Sequence, residues 1–269
     1  MGRAKGRAVQ GTLWNEQIRH TQKWESVYPQ LRKVQEKARA SKKEQFTSLA
    51  HHLKVPLLEG AYRRLEAQAS PGIDGVKKKK YGQKLRENLC ALHDRLKNMT
   101  YRASPVKRVW IDKADGGKRP LGLPTTEDKI VQWAVVEVLN CIYEEDFLGC
   151  SYGFRPGRNQ HQALRALQTV LQKGRVNWVL DADLSKFFDT IDHKELVAVI
   201  EHRVKDRNIL RLIGKWLSAG IVETNGRRVR SKVGTPQGGL CKALHKPPYA
   251  KFTIMQSKLL MMHNCYNSI

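Results

Sequence analysis

No stretch of this 269-residue chain approaches the roughly 18 uninterrupted apolar residues that a membrane-spanning helix requires, so no membrane partner is expected. The N-terminus, MGRAKGRAVQGTLWNEQ, is basic but has no apolar core segment, which excludes a secretory signal. Cysteine is scarce: Cys90, Cys141, Cys150, Cys241 and Cys265 show neither CxxC spacing nor an evident pairing. A disulfide framework and a structural zinc site are therefore not expected. The chain reads as a reduced, intracellular protein, cytoplasmic by expectation, with an organelle left open. The largest shortage is of acids. Asp and Glu number 25 against 49 Lys and Arg, a formal charge of +24 and a pI near 10.0. A surface with that imbalance gains by displacing counterions from phosphates, so a polyanionic partner is the natural reading.

What is present is ordinary globular sequence in its apolar content, 41% hydrophobic, with helices and strands interspersed. SVYPQLRKVQEKARA and FTSLAHHLKVPLLEGAYRRLEAQ show apolar residues at helical spacing. SPGIDGVKKKK breaks that pattern at Pro71, Gly72 and Gly75, a turn followed by lysines that read either as a solvated face or as part of a binding surface. YRASPVKRVWIDKADGGKRPLGLP predicts a hairpin around Asp115, Gly116 and Gly117. TTEDKIVQWAVVEVLNCIYEEDF predicts a helix capped by Thr125 with Asp128, with a stripe of Val131, Ala134, Val135, Val138 and Ile142. Asn159 caps a further predicted helix through Leu164, Leu167 and Leu171, and Asp192 with Glu195 caps another. RNILRLIGKWLSAG predicts a helix ending at Gly220. IVETNGRRVR predicts a hairpin with Asn225 and Gly226 as a two-residue tip. The fold class that follows is α+β.

Against the basic background, WVLDADLSKFFDTID gathers four aspartates into residues 178–192. On a strand, alternate residues share a face, so Asp181 and Asp183 point the same way. Two carboxylates on one face repel unless a cation lies near them. Phosphoryl transfer on nucleotides uses such a pair, because hard oxygen ligands hold Mg²⁺ at the reacting oxygens. The alternative is that these are solvated acids on an exposed sheet face, and for Asp192 a helix cap is the better reading.

The wider pattern bears on that choice. DADLSKFFDTIDH resembles the first catalytic motif of the reverse transcriptases encoded by group II introns. SPGIDGV, GGKRPLGLPTTEDKIVQWAVVEVL, SYGFRPGRNQHQALRAL and GTPQGG resemble further blocks of that family, in the family's order, over residues 70–240. The resemblance implies the fingers and the first part of the palm of the right-hand polymerase fold. It further implies RNA-directed DNA polymerase activity with RNA template, DNA primer, deoxynucleotide triphosphates and Mg²⁺, and maturase assistance through binding of the group II intron RNA.

Carried over residue by residue, Asp183 is the catalytic metal ligand, with Asp181 and the carbonyl of Leu184 beside it. Phe187 is the steric gate that leaves no room for a 2′-hydroxyl. Lys118 and Arg119 would grip the nucleotide triphosphate, arginine bidentately; without the family they read as surface charges. Gln237 would contact the nucleotide, and Gly238 would let the backbone approach the template. Arg155 and Arg158 would border the template strand, phosphate contact and plain surface charge being the two readings. The domain reading is a basic helical extension over residues 1–70, a fingers-type region over 71–176, a partial palm over 177–240 and an atypical tail over 241–269.

That tail is where the likeness stops. The family carries a second acidic motif, tyrosine-x-aspartate-aspartate, beyond the PQGG block. This chain has no adjacent pair of aspartates, and no aspartate after Asp206. CKALHKPPYAKFTIMQSKLLMMHNCYNSI puts Pro247 and Pro248 where a helix is expected, a text that suggests a reading-frame change. The expected fold is a compact region from about residue 50 to 235, a disordered tail and a poorly protected edge on the strand at residues 178–183. The alternative function is a non-catalytic RNA-binding fragment, or a degenerate remnant of the element.

Overall fold

The structure, a computed structural model, describes residues 28–112, 116–153, 155–174, 176, 190–230 and 233–235. The predicted strand at residues 177–183, the acidic block through residue 189 and the tail from residue 241 lie outside the described residues. Among the described residues, eight helices and four strands follow one another as α1 (Pro29–Ala40), α2 (Val55–Arg64), α3 (Lys78–Gly82), α4 (Leu85–Lys97), β1 (Val106–Asp112), β2 (Lys118–Leu123), α5 (Thr126–Tyr143), α6 (Gln160–Lys173), α7 (His193–Glu201), α8 (Arg207–Ser218), β3 (Ile221–Val222) and β4 (Arg228–Val229). A single turn of 3₁₀ helix, Ala50–His52, precedes α2. Among the described residues no helix is long and apolar enough to cross a membrane.

The strands form one sheet in the order β2-β1-β3-β4. β1 runs antiparallel to β2 and parallel to β3, and β3 turns back antiparallel onto β4. Both hairpins fall where the sequence predicts them. The second differs in its turn. Glu223 N–H donates to the Arg227 carbonyl at 2.9 Å, and Gly226, at φ 81°, closes a three-residue loop in place of the expected two-residue one. Only glycine adopts that left-handed conformation without cost, and here it forms the bulge that ends the turn. Asn225 serves by its side chain, its Oδ1 accepting from Arg227 N–H at 3.0 Å.

α5 is the hub. Its predicted stripe is fully buried, but burial extends much further round the helix, to Ile130, Val136, Leu139, Cys141 and Tyr143. A helix apolar on nearly every side must be covered on nearly every side, and α1 and α2 pack directly against it. Leu31, Val34 and Ala38 of α1, with Phe46 and Leu49 beyond it, belong to the same apolar cluster as Ile209 and Ile213 of α8. The expected lower bound of the compact region, about residue 50, is thus corrected to Leu31. α1 shows why composition misplaced it: the helix is charged on its outer face and apolar on its inner one.

Two polar devices fix the frame. The first is Asp206, 4% exposed. Its Oδ1 caps α8 by accepting from Asn208 and Ile209 N–H at 2.8 and 3.1 Å. Its Oδ2 accepts from Leu49 and Ala50 N–H at 2.5 and 2.8 Å, the start of the 3₁₀ turn. One carboxylate satisfies two helix starts far apart in sequence. Arg203 reinforces the joint by donating to the Ser41 carbonyl at 2.9 Å and pairing with Asp146 at 3.2 Å.

The second device holds SPGIDGV against the start of α5. Lys129 Nζ donates to the Ser70 carbonyl at 2.7 Å, and Thr126 Oγ1 to the Val76 carbonyl at 2.5 Å. Gly72 lies so close that a Cβ there would come within 2.5 Å of Thr125 N and 2.8 Å of the Pro124 carbonyl carbon. Gly75, by contrast, has open space and φ 67°.

Two outcomes are expected in chemical unfolding, read as midpoint shifts at unchanged slope. Asp206→Ala strands four backbone donors at a buried joint and lowers stability by about 3–5 kcal/mol, with Asp206→Asn losing less; a shift worth under about 1 kcal/mol would refute the joint. Gly72→Ala, which pushes backbone against backbone, costs about 2–3 kcal/mol. Gly75→Ala pays only for its left-handed conformation, about 1 kcal/mol. The reverse ranking of the two glycines would contradict the packing described.

Candidate functional site

The residues expected to carry chemistry divide sharply by where they fall. Asp181, Asp183, Leu184, Phe187, Gln237 and Gly238 lie outside the described residues. Their flanks are described, and the chain brings those flanks together. Ile191 and Asp192 leave the acidic block; Val233, Gly234 and Thr235 lead into PQGG. Asp192 and Val233 form an antiparallel bridge. Gly234 N–H donates to the Ile191 carbonyl at 2.7 Å, and His193 Nε2 lies 2.7 Å from the Gly234 carbonyl. Gly234 takes φ 77° to make this approach. Asp192 is also the expected cap of α7, its Oδ1 accepting from Lys194 and Glu195 N–H at 2.7 and 3.2 Å. Those two bonds hold its carboxyl below the usual range.

The β1–β2 hairpin carries Lys118 and Arg119 on its return strand. Lys118 pairs with Asp112 and is exposed; Arg119 occupies the register position opposite Ile111. Gly116, at φ 78°, makes the turn before them. The root of the hairpin is anchored by a buried polar relay. Asp128, in the first turn of α5, accepts from the Tyr101 hydroxyl, from Thr125 Oγ1 at 2.7 Å and from Ser104 N–H at 3.2 Å. Trp216 Nε1 of α8 donates in turn to the Tyr101 hydroxyl at 3.0 Å. Burial raises the Asp128 pKa, against the opposing pull of its Tyr101, Thr125 and Ser104 donors. The relay sets where β1 starts relative to α5 and α8.

The lysine run is only partly a solvated face. Lys77, Lys79 and Lys80 are exposed. Lys78 instead caps the end of α2, donating to the Arg63 and Leu65 carbonyls at 3.2 and 2.5 Å, with its ammonium 5.1 Å from the Tyr62 ring centroid. Burial lowers its pKa.

The two arginines of FRPGR also part company. Arg155 has a side chain only 9% exposed. It binds Glu144 at 3.0 Å and the carbonyls of Leu148 and Ser151 at 3.0 and 2.9 Å, and it lies over the Phe147 ring. Its fork organises the loop between α5 and α6. Arg158 is half-buried, its guanidinium 5.3 Å from the Tyr152 ring centroid, and Asn159 then caps α6 through a reciprocal bond with Gln162. α6 leaves Leu164, Leu167, Val170 and Leu171 exposed.

Among the described residues no group of three or more His, Cys, Asp or Glu could hold a metal ion. The expected ligands, the carboxylates of Asp181 and Asp183 and the Leu184 carbonyl, lie outside the described residues; oxygen donors of that kind are the ones divalent cations take.

Comparison with known proteins gives the same direction. Residues 111–242 match the family model described as reverse transcriptase (RNA-dependent DNA polymerase). The chain is 38% identical over 178 residues to Protein YkfC of Escherichia coli K12, covering 65% of this chain and 46% of that one. It is 34% identical over 216 residues to the group II intron-encoded protein LtrA of Lactococcus lactis subsp. cremoris, covering 80% and 36%. It is 37% identical over 180 residues to a 91 kDa protein in the cob intron of Schizosaccharomyces pombe, covering 67% and 22%. The chain therefore spans less than half the length of each of these relatives. The order of the blocks, the family model and the intron-encoded relatives agree: the chain carries a reverse-transcriptase domain similar to those of group II intron-encoded proteins.

Proposed function

We propose that this chain serves RNA-directed DNA synthesis by a group II intron protein, as the part that grips template, primer and nucleotide. The same basic surface binds the folded intron RNA and assists its splicing. The observation that supports this most directly is the clamp between residues 191–193 and 233–235. It ties the exit of the acidic block to the entry of PQGG.

In that reading Asp183, Asp181 and the Leu184 carbonyl would hold Mg²⁺, which would supply Lewis-acid activation of the primer hydroxyl and charge neutralisation at the leaving phosphates. Phe187 excludes a ribose hydroxyl by its bulk. Lys118 and Arg119 draw the triphosphate by charge, and Gln237 and Gly238 border the base pair. Arg158 and the exposed lysines 77, 79 and 80 face the nucleic-acid backbone. Arg155 shapes their loop.

The experiment is equilibrium binding to structured RNA at graded salt. Affinity is expected to fall steeply, with a log–log slope of magnitude about 4 or more, since each neutralised phosphate contributes roughly 0.7–0.9. A flat dependence, or no binding at low salt, overturns the reading. Primer extension gives the complementary outcome. The 269-residue polypeptide by itself is expected to add no deoxynucleotide, because one strand's carboxylates cannot hold two ions in line. Incorporation that Asp183→Ala abolishes would show that the polypeptide needs no second acidic motif.

A further inference from the structure

The β1–β2 hairpin outruns its sheet. β3 pairs with β1 only at Val106 and Lys107, so from Arg108 outward the hairpin is a two-stranded ribbon. Trp110 sits on that ribbon, opposite Pro120, with 50% of its surface exposed. A lone exposed aromatic needs no explanation; the surroundings of this one make it more than that. The Arg108 guanidinium lies 5.9 Å from the ring centroid and is itself held by Glu223 at 3.4 Å. The indole is thus braced from one side by an anchored cation. Lys118, two pairs further along the ladder at Asp112, is exposed. Pleat geometry puts it on the same ribbon face as Trp110, about 7–8 Å away.

We propose that Trp110 is a stacking platform for an unpaired base of RNA, on a ribbon whose positive charge draws the strand toward it. A planar ring fixed on a rigid strand offers a π-face that any base can use, and stacking of this kind tolerates sequence. Charge selects among the possible occupants. A second copy of a chain carrying +24 is repelled from a site flanked by Arg108 and Lys118, whereas a polyanion is drawn in. The ring further selects single strands, because a base already stacked within a duplex has no free face to give. The platform rests on the reading that this chain grips RNA, and it assigns to the outer ribbon the recognition of a splayed nucleotide.

The test is fluorescence anisotropy with the full chain and two probes: a labelled single-stranded RNA of roughly 12 nucleotides, within the usual span of one binding module, and a blunt RNA duplex. W110A is expected to weaken single-strand binding about tenfold and W110F by no more than about threefold, from the usual worth of one stacked base. Duplex affinity and the salt slope should not change, since no phosphate contact is lost. Titration with the single strand should also quench tryptophan emission in the wild-type chain and not in W110F, a readout that stands even if W110A folds poorly. W110A binding like wild type, equal loss on single strand and duplex, or quenching that persists in W110F would overturn the platform alone. Absence of RNA binding by the wild-type chain would overturn the gripping reading with it.

Discussion

The buried carboxylate of Asp128 is the point on which the arrangement of helices and hairpin turns. It is 2% exposed, and an ion so placed persists only where donors surround it. Those donors come from three directions: the cap residue of its own helix, the backbone at Ser104 just before β1, and Tyr101, whose hydroxyl is met by Trp216 of α8. The consequence is geometric. β1 cannot slide along α5 without leaving a donor or the carboxylate unpaired in a dry interior, which is more costly than the bonds themselves are favourable. Arg95 adds a bidentate grip on Glu127, at 2.9 and 2.7 Å, one residue before Asp128. The hairpin is therefore delivered at a fixed angle, with its outer ribbon free to meet a partner.

Asp206 does for the N-terminal helices what Asp128 does for the hairpin. Beside the Arg39–Glu145 pair and the backbone bonds of Phe46 with Arg203 and Lys205, it gives residues 28–65 a further polar tie to the rest. With it, the start of the 3₁₀ turn and the start of α8 share one anion, an arrangement that suits the partial positive charge at helix N-termini. Arg203 completes the joint by occupying the carbonyls at the end of α1. The change of composition near residue 70, visible in the sequence, therefore does not divide the core.

The parts legible in the sequence are those set by local rules. Capping at Thr125, Asn159 and Asp192 follows from short side-chain oxygens before apolar runs, and the helix end at Gly220 from glycine's ease at positive φ, here 79°. Both hairpins follow from alternation and turn residues. What escaped were second bonds. A cap uses one carboxylate oxygen, and nothing in DRNIL says that the other oxygen of Asp206 reaches back to Leu49. The tightness around Gly72 was likewise hidden, because a glycine beside a proline reads as a turn whether or not a helix end presses on it. Trp110 was passed over for a related reason: in an alternating strand it counts as one more apolar residue, and only the early end of β3 leaves it uncovered.

A net charge of +24 suggests that any basic residue could face a phosphate, yet the structure sorts them by chemistry. Arginines go inward as well as outward. Arg155 and Arg203 each spread a planar fork over carboxylates and carbonyls inside the fold, a task that a guanidinium performs at low hydration cost. Lysines are drawn in where backbone carbonyls meet them, as at Lys78, Lys129 and Lys215, and there burial lowers their pKa. The other described lysines stay outside. The cations that can meet a polyanion are thus fewer than the composition implies; among the described residues they lie on the outer faces of the helices, on the outer hairpin and on β4. Internal arginines make the frame stiff enough to hold those surface charges in place, so that binding need not pay to order the residues that bind.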